Sequence, residues 1–150
     1  LLLLLLIPSL LFSAPKFTGG DCSFCEKIFY PSGQRYVGSF KNGRPEGSGV
    51  MYMGKGYKKD KISGLWVDGL PTKAIYKWSN GDYFTGSWKK AAPDVGIHFY
   101  TNGTKEIGHF INENANTNSS SWDNKLWNGE KILPNGDKIF IKDGKPNNQY

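Results

Sequence analysis

The sequence predicts an all-β protein, a meander of short antiparallel strands, on three observations. A fixed layout of glycine, two residues, aromatic, one residue, glycine, one residue, aromatic occurs twice. It reads Gly33-Gln34-Arg35-Tyr36-Val37-Gly38-Ser39-Phe40 and again Gly81-Asp82-Tyr83-Phe84-Thr85-Gly86-Ser87-Trp88, and such recurrence marks a repeat architecture. Dipeptides that favour positive φ at both turn positions punctuate the chain: Asn42-Gly43, Asp68-Gly69, Asn80-Gly81, Asn102-Gly103, Asn128-Gly129, Asn135-Gly136 and Asp143-Gly144. Between them lie aromatic and β-branched segments such as Val50-Met-Tyr-Met53 and Lys138-Ile-Phe-Ile141, and no window sustains the 3.6-residue period of an amphipathic helix. Nineteen glycines and 15% aromatics suit a thin sheet covered by flat side chains.

The 150 residues allow one domain with a modest core. Leu1 to Phe12 is almost wholly apolar, and the first charge is Lys16. Residues 1–14 are therefore expected to be a signal peptide, with Ser13-Ala14 near a cleavage point, or a truncated membrane anchor. The chain does not open with Met, so a start further upstream is expected, and the protein is taken as exported, secreted or in the cell envelope. Residues 15–25 read as a linker carrying Cys22 and Cys25. No second pair completes a zinc site, and the strand-like Glu26-Lys-Ile-Phe-Tyr30 stands where a redox motif needs a helix. In an exported chain these cysteines are expected as a local disulfide or as two inert thiols.

Residues 26–150 form the expected repeat domain. Its central glycines, Gly38, Gly64, Gly86 and Gly108, recur at about the length of one hairpin. Around them sit Tyr36-Val-Gly-Ser-Phe40, Ile62-Ser-Gly-Leu-Trp66, Phe84-Thr-Gly-Ser-Trp88 and Glu106-Ile-Gly-His-Phe110. Strand alternation places the leading aromatic, the glycine and the final aromatic on one face. The bare glycine leaves a gap that a neighbouring ring can fill, as in aromatic rescue. Tyr36, Gly38, Phe40, Gly64, Trp66, Phe84, Gly86, Trp88, Gly108 and Phe110 are accordingly assigned structural roles.

This pattern resembles the MORN repeat (membrane occupation and recognition nexus), whose core reads Tyr-x-Gly-x-Trp/Phe, then a turn glycine, then Gly-x-Gly. The first unit matches best, with Tyr36, Gly38, Phe40, Gly43, Gly47 and Gly49. The second has Ile62 for the tyrosine, the third replaces the turn glycine with Lys-Lys-Ala-Ala-Pro, and the fourth has Glu106 where an aromatic belongs. Beyond Asn112, Trp127-Asn-Gly129 and Asn135-Gly-Asp-Lys-Ile139 resemble degenerate units. The resemblance implies about four to six hairpin units in an elongated single-layer antiparallel sheet of successive β-hairpins. It also implies binding to proteins or to anionic lipid surfaces. A polar tract at residues 112–121 is expected as a loop between hairpins.

Sites of chemistry are not expected. Gly49-Val-Met-Tyr-Met-Gly54-Lys55 imitates a phosphate-binding loop, but Gly56 replaces the Ser or Thr and no helix follows. His98 and His109 stand in no ligand spacing, the carboxylates are scattered, and no serine occupies a nucleophile elbow. No catalytic residue, cofactor or metal is expected. Surface recognition remains. Nineteen Lys+Arg against thirteen Asp+Glu give +6, which favours anionic partners. Lys58, Lys59 and Lys61 with Lys89 and Lys90 are read as a basic rim along equivalent edges, or as lysines guarding edge strands. The leading expectation is a non-catalytic scaffold for a protein partner or an anionic membrane surface, with no nucleic acid among its partners. The alternatives are a glycan-binding module with Trp122 as its exposed ring, and an appendix of an enzyme outside this chain.

Overall fold

The computed structural model describes residues 13–56, 59–112 and 124–147. Within them run β1 (Cys22–Phe29), β2 (Gln34–Lys41), β3 (Arg44–Tyr52), β4 (Lys61–Val67), β5 (Leu70–Lys77) and β6 (Tyr83–Lys89). Then follow β7 (Ala92–Phe99), β8 (Lys105–Asn112), β9 (Asn124–Ile132), β10 (Lys138–Lys142) and β11 (Lys145–Pro146). They make one antiparallel sheet in which spatial order equals chain order, as expected of successive hairpins. Residues 1–12, most of the 112–121 tract, Lys58 and Trp122 lie outside the described residues.

The register explains the glycines. Gly38 pairs with Gly49, Gly49 with Gly64, and Gly64 with Ala74. Ala74 then pairs with Gly86, Gly86 with Gly96, Gly96 with Gly108, and Gly108 with Gly129. One row across eight strands thus carries nothing larger than a methyl. Rings lie over it. A Cβ on Gly49 would collide with the Tyr36 ring, and one on Gly86 would meet Phe84 Cζ at 2.9 Å and the Gly96 backbone at 2.7 Å. Tyr36 itself is 0% exposed.

Tyr36, Phe40, Met51, Ile62, Trp66, Tyr76, Phe84, Trp88 and Phe110 share the buried face with that row. Their rings meet edge to face: Tyr36 with Phe40 at 5.1 Å, Tyr36 with Trp66 at 5.2 Å, Phe84 with Phe110 at 5.3 Å, geometries that aromatic quadrupoles favour. Trp66 and Trp88 donate their indole N–H to the carbonyls of Gly49 and Ala74, so their polar edges are satisfied inside the core.

The connections alternate between two edges. One edge carries two-residue turns at Asn42-Gly43, Asp68-Gly69, Lys90-Ala91 and Asp143-Gly144, each with positive φ at both positions. Lys90 and Ala91 adopt φ of 51° and 62° without a glycine, because the pairing of Lys89 with Ala92 leaves two residues to close the turn. The other edge carries longer loops. There Asn80, Asn102 and Asn135 accept the backbone N–H two residues on, of Asp82, Thr104 and Asp137. These Asn-Gly pairs therefore work through the asparagine side chain. Asn128-Gly129, read as a turn from sequence, lies inside β9, where Gly129 continues the bare row.

Residues 15–25 are more ordered than the linker read from sequence. β1 begins at Cys22, and Cys22 and Cys25 form a disulfide across a register shift in its pairing with β2. Upstream, Phe17 N–H donates to Glu26 O, Glu26 N–H donates to Pro15 O, and the Phe17 ring stacks on Phe40 at 4.3 Å. Pro15–Phe17 thus occupies the outer edge of β1.

Candidate functional site

Because the glycines, large rings and most buried side chains lie on one face, strand alternation leaves the other face open. Register assembles rows there that chain order hides. One row runs Arg35, Tyr52, Lys61, Lys77, Tyr83, Phe99 and Lys105, each the direct cross-strand partner of the next. Its rings and cations interleave. The Arg35 guanidinium lies 4.2 Å from the Tyr52 ring centre, Tyr83 and Phe99 stack at 4.5 Å, and the Lys105 ammonium stands 5.7 Å from the Phe99 centre. A parallel row on the same face holds Val37, Val50, Ser63, Ile75, Thr85, Ile97 and Ile107. Ile75 is 44% exposed, and Leu65, one row further along, 48%. Basic, aromatic and aliphatic groups therefore lie side by side on a sheet face that no other described element covers.

The lysine rim read from sequence is not one rim. Lys59 and Lys61 stand at the β3–β4 loop, and Lys89 and Lys90 at the β6–β7 turn. In an antiparallel meander those two connections fall on opposite edges, so a strand length of about 20 Å separates the groups. Lys58 lies outside the described residues. Lys61 joins the basic–aromatic row instead, with Arg35, Lys77 and Lys105, none of which sequence reasoning had singled out. The missing signal was register: these residues are far apart in the chain and share only their distance from the bare row.

On the buried face the same register carries a polar cluster. The row Tyr36, Met51, Ile62, Tyr76, Phe84 continues as His98, Glu106 and Lys131. Glu106, only 8% exposed, accepts from Tyr100 Oη at 2.8 Å and pairs with Lys131 at 3.1 Å. His98 is stacked between Trp78, at 4.7 Å, and Tyr100, at 4.0 Å, with its Nε2 buried. Burial pushes the His98 pKa down against the pull of Glu106 and Asp82. Burial, then the Glu106 charge, pushes the Tyr100 hydroxyl up. The carboxylate is thus fully engaged by a phenol and an ammonium, an arrangement that closes the core. A second buried carboxylate, Asp60, accepts from Tyr76 Oη and Ser79 N–H at 2.8 Å each. His109 lies on the open face, 3.3 Å from Asp94. Among the described residues no group of three or more His, Cys, Asp or Glu could hold a metal ion.

Comparison with known families matches residues 36–56 to the MORN repeat, the span of β2, β3 and the start of the following loop. No curated protein matches the chain. The MORN repeat is a non-catalytic repeat generally associated with binding to proteins or membrane lipids. The matched hairpin contributes Gly38 and Gly49 to the bare row and Tyr36 to the rings above it, and the hairpins that follow extend both on the same plan, a repeated antiparallel hairpin sheet consistent with MORN repeats.

Proposed function

We propose that this protein is a non-catalytic docking scaffold whose open face rests on an anionic membrane surface. The observation that carries the reading is the interleaved row from Arg35 to Lys105. Cations held in line along a flat sheet meet a charged surface together, and the rings and aliphatic row beside them suit the boundary between headgroups and acyl chains. With residues 1–14 taken as a signal or anchor, the surface in question is an envelope or extracellular one. A second reading, a protein partner, is favoured by the exposed aliphatic groups Leu65, Ile75 and Val95. The glycan alternative rested on Trp122, outside the described residues.

Vesicle co-sedimentation separates these readings. Phosphatidylserine vesicles should pellet the protein at low salt, and raising salt well above 0.1 M, where the screening length is about 10 Å, should release it. Arg35→Gln with Lys105→Gln should weaken binding several-fold, whereas Lys89→Gln with Lys90→Gln, on the far edge, should change it little. Absence of binding at low salt removes the membrane reading.

A further inference from the structure

We infer that the cleft between the β3–β4 and β5–β6 loops is a binding site for a phosphate monoester carried on a ring. The cleft measures about 610 Å³ and is lined by Tyr52, Lys59, Lys61, Lys77, Trp78 and the loop from Ser79 to Gly81. Lys61 and Lys77 are direct cross-strand partners, and like charges placed opposite one another destabilise a sheet. Lys59 adds a third positive charge. Among the described residues none of the three forms an ion pair.

The nearby carboxylates Asp60 and Asp82 form no ion pair with this cluster. Asp60 is turned into the core, holding Tyr76 Oη and Ser79 N–H, and Asp82 is engaged by Asn80 and the Thr101 N–H. Three ammonium groups around one opening suit a doubly charged, three-oxygen acceptor, since lysine binds phosphate as a point charge from several directions. Tyr52 and Trp78 supply flat walls, which is why the ligand is a ring bearing the phosphate. The like-charge pair is then a cost to the free protein that the ligand relieves.

This inference narrows the docking reading to one point of its basic row, at Lys61 and Lys77, and the test keeps the two apart. Calorimetric titration of the full chain with phenyl phosphate should show one saturable site, tighter than inorganic phosphate. Lys61→Gln with Lys77→Gln should weaken it at least tenfold and raise the thermal midpoint of the unliganded protein. Lys89→Gln with Lys90→Gln, on the opposite edge and equal in charge removed, should change the affinity less than twofold. Phenyl phosphate should raise the midpoint of the wild type and leave that of the Lys61/Lys77 variant unmoved.

Equal weakening by both variant pairs, or no saturable binding, overturns the site; phosphatidylserine vesicle binding that persists would then leave the docking reading standing. Equal affinity for inorganic phosphate overturns the ring. If the site holds, vesicles bearing phosphatidylinositol 4-phosphate, compared at equal charge with phosphatidylserine, identify the source. A preference assigns the group to a lipid headgroup, and indifference assigns it to a soluble phosphate.

Discussion

The hairpins before and after Gly86 share one backbone and differ in what they bury. From β2 to β6 the row beside the glycines is Tyr36, Met51, Ile62, Tyr76 and Phe84, wholly hydrophobic apart from two phenol hydroxyls. From β7 to β9 the same row is His98, Glu106 and Lys131, yet the glycine pairing runs on unbroken through Gly96, Gly108 and Gly129. The bare row is thus what every unit must keep, because backbone and ring already fill the place of a side chain. The row beside it is free to change from packing to charge pairing, as Glu106 with Lys131 does, while the His98 Nε2 stays buried without a hydrogen-bond partner among the described residues. The repeat fixes close approach and leaves chemistry open.

The largest way to break that comparison is at the common row. Gly86→Val would drive its side chain into Phe84 and the Gly96 backbone, and overpacking of this kind should cost about 3 kcal/mol. Urea denaturation should show a matching fall in midpoint. A fully stable variant would mean the ring does not rest on the glycine.

A smaller effect should distinguish the two halves by pH. His98 has its pKa lowered by burial, so the unfolded chain binds its proton more readily than the folded one. Stability from this group is fully present above the ordinary value of about 6.5 and is lost as pH falls through and below it. Thermal midpoints measured from pH 7.5 down to 5 should fall in the wild type and fall less in His98→Phe, which extends the hydrophobic row by one strand. Identical slopes would show that the C-terminal polar row does not sense protons through His98.

The smallest effect lies at the turn that breaks the pattern of its neighbours. Ala91 holds φ of 62°, a conformation costing an L-residue roughly 1–2 kcal/mol. Ala91→Gly should therefore stabilise the protein by about 1 kcal/mol, measured as a raised denaturation midpoint. A neutral result would show that Ala92 and Pro93 already hold the turn regardless.

Much of the scaffold was legible in the sequence because glycine at a fixed distance from an aromatic has few other uses. Gly38, Gly64, Gly86 and Gly108 could be read off one after another. Gly129 could not, since Asn128-Gly129 spells a turn and only pairing with Gly108 and His109 identifies it as strand. Lys90-Ala91 carries no turn signal at all; its shape is imposed by the strands it joins. The functional face was less legible for a related reason. Arg35, Tyr52, Lys61 and Lys77 lie far apart along the chain, and of the charge runs that sequence does display, Lys59 of one and Lys89-Lys90 of the other sit on opposite edges. Glu106 looked like a flaw in its repeat, and its partners Tyr100 and Lys131 could be found only in three dimensions.

The strict identity of chain order and spatial order also bears on how the molecule is made. Each strand meets as its neighbours those synthesised just before and just after it, so no pairing waits on a distant segment. Contacts this local favour rapid folding and let ordered hairpins accumulate one upon another. The Pro15–Phe17 segment, hydrogen-bonded to Glu26, covers one point on the outer edge of the first strand, and each later hairpin adds beside the one before it.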